Sequence, residues 1–114
     1  MRKIEKKIVF LIKSFPYNTL NSYEALRAAI SCFEHEVFVL WMGDGVYLPT
    51  KRSDHTLTEP FLRLSGDMGV TLYVDEDDLK ERGLSSEDLT PQTKPIEKTR
   101  AIALLRGADF VMTF

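Results

Sequence analysis

The sequence predicts an α/β sandwich built on a mainly parallel sheet, and three observations lead there. Its strongest apolar runs, residues 8–12 (Ile-Val-Phe-Leu-Ile) and 37–42 (Val-Phe-Val-Leu-Trp-Met), are continuous rather than alternating, the pattern of strands buried on both faces. Segments with helical spacing separate these runs, so the elements alternate along the chain. The 114 residues are 44% hydrophobic and 28% charged, an ordinary globular composition sized for one domain.

The first strand, residues 8–12, is bounded by lysines, and Ser14-Phe15-Pro16-Tyr17-Asn18 supplies turn chemistry after it. A helix follows, with Asn21 as its expected cap and Glu24 completing a capping box. Tyr23, Leu26, Ile30 and Phe33 form its apolar stripe, flanked by a face of small residues at Ala25, Ala29 and Cys32. The second strand, 37–42, ends at Gly43-Asp44-Gly45, and residues 48–56 read as an exposed loop. Leu57, Phe61, Leu64 and Met68 then repeat at helical spacing, with Thr58 as cap, Pro60 in the first turn and Gly69 at the end. Residues 70–74 make a third strand. Asp75-Glu76-Asp77-Asp78 opens a short helix that stops at Gly83, with acids first and bases last, as the helix dipole favours. Residues 84–94 look irregular apart from one turn at 85–87; Pro95 opens a last helix closed by Gly107, and 108–114 is a final strand. An apolar final strand must be buried in its own core or against a partner.

Fifteen Lys and Arg against seventeen Asp and Glu give a net charge of −2, which argues against a nucleic-acid binder. No apolar run approaches the roughly 18 residues of a membrane span. The first such run is shorter than the roughly 7–15 residues of a signal-peptide core, so a soluble, cytoplasmic chain is expected. One cysteine excludes an intrachain disulfide and a multi-cysteine metal site.

Open α/β sheets bind ligands at the carboxyl ends of their strands, which places Ser14, Asp44, Gly45, Tyr47 and Asp75 among the pocket candidates. Neither nucleotide-binding glycine motif occurs. A receiver domain would carry paired acids after the first strand, where this chain has Ser14-Phe15. Gly43-Asp44-Gly45 suits an anion nest or, more simply, a sharp turn. His35 and His55 lack neighbouring metal ligands in the sequence and read as surface residues. The acidic run 75–78 lacks calcium-loop spacing and reads as a solvated helix start. Cys32, late in the first helix beside Glu34 and Glu36, suits packing better than a reactive thiolate.

In order along the chain, five segments resemble the DsrE/DsrF-like sulfur-relay family, and most of all its TusC/DsrF branch. They are Lys6-Lys7-Ile8-Val9-Phe10, the small-residue helix from Glu24 to Ala29, the Asp44-Gly45-Val46-Tyr47 turn, the Leu-x-x-Arg-Gly-Leu stretch from Leu79 to Leu84, and Asp109-Phe110-Val111-Met112-Thr113-Phe114. The resemblance spans nearly the whole chain. It implies a three-layer α/β/α sandwich with a mainly parallel, roughly five-stranded sheet, assembled into dimers, trimers or hexamers. Its implied partners are copies of itself, related DsrE-family subunits and sulfur-carrier proteins that pass persulfide sulfur, with no nucleic acid, membrane, metal or cofactor.

In that family the sulfur-carrying cysteine belongs to the DsrE/TusD-type subunit, just after the third strand. This chain has Tyr73-Val74-Asp75-Glu76 there, and a carboxylate does not carry sulfane sulfur. Acids would also raise the pKa of a nearby thiol and repel a persulfide anion. The leading expectation is therefore a non-catalytic, oligomer-forming subunit, with Tyr47, Phe61 and the small-residue face as interface or pocket elements. Two alternatives stand beside it: a homo-oligomeric small-ligand-binding domain using the strand-end residues, and a sulfurtransferase using Cys32 as acceptor.

Overall fold

The structure, a computed structural model, describes residues 5–17 and 19–114. Five strands form one sheet: β1 (Lys7–Ile12), β2 (Glu36–Trp41), β3 (Thr71–Asp75), β4 (Thr93–Ile96) and β5 (Phe110–Thr113). Their spatial order is β4-β3-β2-β1-β5, with every pairing parallel. The helices are α1 (Asn21–Ser31), α2 (Glu59–Asp67), α3 (Glu76–Glu81) and α4 (Lys98–Gly107), with short 3₁₀ turns at Gly43–Tyr47 and Ser86–Asp88.

Right-handed crossovers dictate where the helices go. From β1 through β4 the chain steps steadily in one direction, so α1, α2 and α3 all fall on one face. There Ala25, Leu26, Ala29, Leu62 and Leu79 pack on Phe10, Ile12, Val37, Val39, Trp41, Leu72 and Val74. The return from β4 to β5 runs the other way and puts α4 alone on the opposite face, where Ala101 packs with Val9, Leu40 and Ile96. The result is a three-layer α/β/α sandwich with a thick and a thin side. On the thin side Phe38 and Tyr73 stack, their ring centroids 6.1 Å apart and their planes inclined 8°.

Four local expectations need correction. Pro95 does not open the last helix: Lys94 and Pro95 lie in β4, an edge strand, where a missing N–H is tolerated, and α4 begins at Lys98. Asn21 is the first residue of α1 rather than its cap: its Nδ2 donates to Ser14 Oγ at 2.8 Å, and Glu24 pairs with Arg27. In α2 the buried positions are Leu62 and Ser65, while Leu57 and Leu64 are exposed, so the core-facing stripe is rotated from the expected one. Within 48–56, Leu48, Pro49 and Thr50 are buried, and Thr50 bridges Leu89 in antiparallel fashion.

Candidate functional site

The residues with the most unusual environment lie at the carboxyl ends of β3 and β4. α3 leaves β3 toward one face of the sheet and α4 leaves β4 toward the other, so these strand ends form a topological switch point, the kind of place at which open sheets hold ligands. Asp75, the last residue of β3, and Lys98, the first of α4, meet there.

Asp75 is fully buried. Its Oδ1 accepts the Asp78 N–H at 3.1 Å and so caps α3. Lys98 Nζ lies 2.9 Å from Asp75 Oδ2 and 2.9 Å from Asp78 Oδ1; it donates a well-aligned hydrogen bond to Asp78, while its contact with Asp75 is ionic. Asp78 Oδ2 accepts the Gly43 N–H at 2.8 Å. Burial alone would push the Asp78 carboxyl up, but the Gly43 N–H, the Lys98 ammonium and the Arg82 charge together hold it below its ordinary value. Burial would likewise lower Lys98, and the hydrogen bonds and charges of Asp78 and Asp75 outweigh it and raise it. The expected solvated acidic run is thus divided: Asp77 is exposed, whereas Asp75 and Asp78 are buried around a shared cation.

Around this cluster the structure joins segments that are remote in sequence. Arg82 donates from Nε and Nη2 to Asp44 Oδ1, at 3.2 and 3.0 Å, and from Nη1 to the Asp78 carbonyl at 3.0 Å. Gly83, at φ +71°, turns the chain out of α3; its N–H reaches the Lys80 carbonyl, and that of Leu84 reaches the Leu79 carbonyl, a Schellman stop. The Asp44–Tyr47 turn and the Leu79–Leu84 stretch therefore form one structural unit. Gly45 seats that unit on β1, because a Cβ there would overlap the Ile12 carbonyl oxygen.

Of the strand-end candidates, Asp44 and Asp75 belong to this ionic cluster and Gly45 is a packing position. Ser14 is held by Asn21, and Tyr47 meets Phe15 edge-on with centroids 5.6 Å apart. Cys32 caps the carboxyl end of α1. Since α1 runs back from the carboxyl end of β1 to the amino end of β2, Cys32 lies at the opposite end of the sheet from Asp75. It is half-buried in a groove with Phe10, Met112 and Phe114. His35 Nδ1 accepts the Lys6 N–H, and His55 Nε2 bonds the Leu48 carbonyl, so both histidines hold main chain. Among the described residues no group of three or more His, Cys, Asp or Glu is arranged to hold a metal ion, and no helix is long and apolar enough to cross a membrane.

Lys98 is a site residue that none of the strand-end candidates includes; its signal in the sequence is an Asp ending one strand, a second Asp three residues on, and a lysine beginning the helix after the next strand. Comparison with known proteins gives the family: the DsrE/DsrF-like family model matches residues 6–114. The chain belongs to the DsrE/DsrF-like family. It is 36% identical over 97 residues to the intracellular sulfur oxidation protein DsrF of Allochromatium vinosum, covering 78% of this chain and 71% of that protein. Its fold is shared with the YchN protein of E. coli, at TM-score 0.81 and 22% identity over 96% of this chain and 99% of the other. The same fold occurs in MTH1491 of Methanobacterium thermoautotrophicum, at TM-score 0.72 and 16% identity over 95% and 99% of the two chains.

Proposed function

We propose that this DsrE/DsrF-like chain is a non-catalytic, oligomer-forming subunit of TusC/DsrF type in a cytoplasmic sulfur-relay assembly. The observation that carries the reading is Asp75. At the position after the third strand, where the sequence resemblance puts the carrier subunit's cysteine, this chain has a buried carboxylate that caps α3 and is ion-paired to Lys98. Cys32, its one thiol, lies at the other end of the sheet.

The sheet edges support assembly. β4 is guarded by Lys94 and Pro95, residue types that discourage edge-to-edge pairing. β5 carries Phe110, Val111 and Met112, which are 54%, 43% and 43% exposed, with neither charge nor proline in the strand. A partner covering this edge would remove three large apolar side chains from water. Native mass spectrometry after co-expression with DsrE-type relatives tests the reading: a defined hetero- or homo-oligomer is expected, and a monomer under all conditions would refute it. Incubation with a persulfide donor should leave Cys32 without a sulfur mass increment when a carrier subunit in the same mixture gains one.

A further inference from the structure

The hydrogen bonding of β5 determines what its free side offers. The Phe114 N–H donates to the Leu11 carbonyl at 2.8 Å, and the Phe114 carbonyl accepts the Lys13 N–H at 2.9 Å. Main-chain groups along a strand turn to alternate sides. Phe110, Met112 and Phe114 therefore bond β1, while the N–H and C=O groups of Val111 and Thr113 point away from the sheet. Asp109, just ahead of the strand, is already engaged: its N–H donates to the Lys7 carbonyl and its Oδ2 accepts the Lys7 N–H. Side chains alternate as well. Met112 and Phe114 line a groove with Phe10, Ala28 and Cys32 on the α1 face, so Phe110 shares that face, and Val111 and Thr113 take the other.

We propose that β5 pairs antiparallel with β5 of a second copy of this chain, across a two-fold axis at Met112. The proposal rests on the assembly role above and names one partner and one register for it. Directly opposed residues of an antiparallel pair point to the same face, so the axis must pass through a residue and not between two. An axis at Val111 would oppose Thr113 to the partner's Asp109, whose N–H is already bonded to Lys7. An axis at Met112 opposes Val111 to the partner's Thr113, and every outward N–H and C=O of both copies then finds a partner. On the α1 face it sets Met112 against the partner's Met112, and Phe110, 54% exposed, against the partner's Phe114. The strand thus matches itself both in hydrogen-bond phase and in side-chain face, with no charge to oppose its copy. Because Lys94 and Pro95 guard the other edge of the sheet, each copy offers one such strand, and pairing closes at two copies without running on into a fibre.

The test uses the full chain by itself. Sedimentation equilibrium should show a concentration-dependent dimer. Val111→Pro and Thr113→Pro each remove an N–H that β1 does not use, so dimerisation should weaken at least about tenfold in each while the monomer stays folded. Cysteine pairs read the register without any proline. In the Cys32→Ala background, Met112→Cys should form an interchain disulfide with oxidised glutathione, because opposed residues of this type lie about 4.5 Å apart at Cα. Val111→Cys should not, since its own copy lies diagonally across, about 7–8 Å away. A chain that stays monomeric at millimolar concentration, a dimer of unchanged affinity in both proline variants, or a Met112→Cys cross-link that is absent or weaker than that of Val111→Cys would overturn the inference. A chain monomeric alone but assembled with DsrE-type relatives would sink this pairing and leave the relay reading standing; a monomer in both settings would sink both.

Discussion

Replacing Lys98 with methionine keeps most of the aliphatic stem and removes the cation shared by Asp75 and Asp78. Two buried carboxylates then face each other with only the Gly43 and Asp78 N–H groups and Arg82 to offset them. Removing one member of a buried ion pair costs about 3–5 kcal/mol. The Lys98 side chain is 35% exposed, and solvent screening brings the expected loss down to about 2–3 kcal/mol. For a chain of this length that lowers the melting temperature by about 8–12 °C. The pH dependence gives the loss a signature. A carboxyl whose folded pKa is depressed, as that of Asp78 is, stabilises the fold above its unfolded value of about 3.9 and loses that contribution as pH falls through the folded value. Without Lys98 the Asp78 carboxyl loses part of what holds it ionised, so protonating it relieves repulsion, and the deficit should narrow from neutral pH toward about pH 4. Asp75→Asn, which retains an oxygen able to cap α3, should recover part of the loss in the Lys98→Met background. Thermal melts of the four proteins across this pH range provide the measurement. A Lys98→Met deficit below about 1 kcal/mol, or one that stays constant with pH, would show that the cluster is solvated and the reasoning wrong.

Gly45→Ala forces a methyl group against the Ile12 carbonyl, and the turn must shift; urea denaturation should show a loss of about 1–3 kcal/mol. Phe110→Lys, on the exposed edge strand, should change monomer stability by no more than about 0.5 kcal/mol yet reduce the oligomer to smaller species in light scattering. Cys32→Ala should leave both oligomer mass and partner binding unchanged in native mass spectrometry, since the thiol is half-buried packing at the end of α1.

The strands of the sheet's centre were legible because continuous apolar runs have few other uses: residues 8–12 and 37–42 lie in β1 and β2 to within a residue or so. β4 was not, since an edge strand satisfies only one side of its backbone and tolerates the Lys94-Pro95 pair that resembles a helix start. The stripe of α2 was misplaced because Phe61 and Leu62 compete for the core, and only tertiary packing chooses Leu62. The acids at 75 and 78 carried no sign of burial, because the cation that makes burial tolerable stands twenty residues further along the chain, beyond β4. Recognition of the two motif segments was easier than recognition of their union: the Arg82–Asp44 pair joins positions thirty-eight residues apart.

The pairing of β5 with β1 has a consequence for the order of events in folding. Ile8 is in register with Phe110, across about a hundred residues of chain, whereas β1, β2 and β3 are joined in sequence by short crossovers. Contacts between distant parts of a chain carry the larger closure entropy and form slowly. The apolar outer edge of β5 is therefore presented in its native form only after the most distant pairing in the sheet has closed. A partner that recognised that edge would discriminate finished subunits from unfinished ones, and the proposed assembly would then act as a checkpoint on folding.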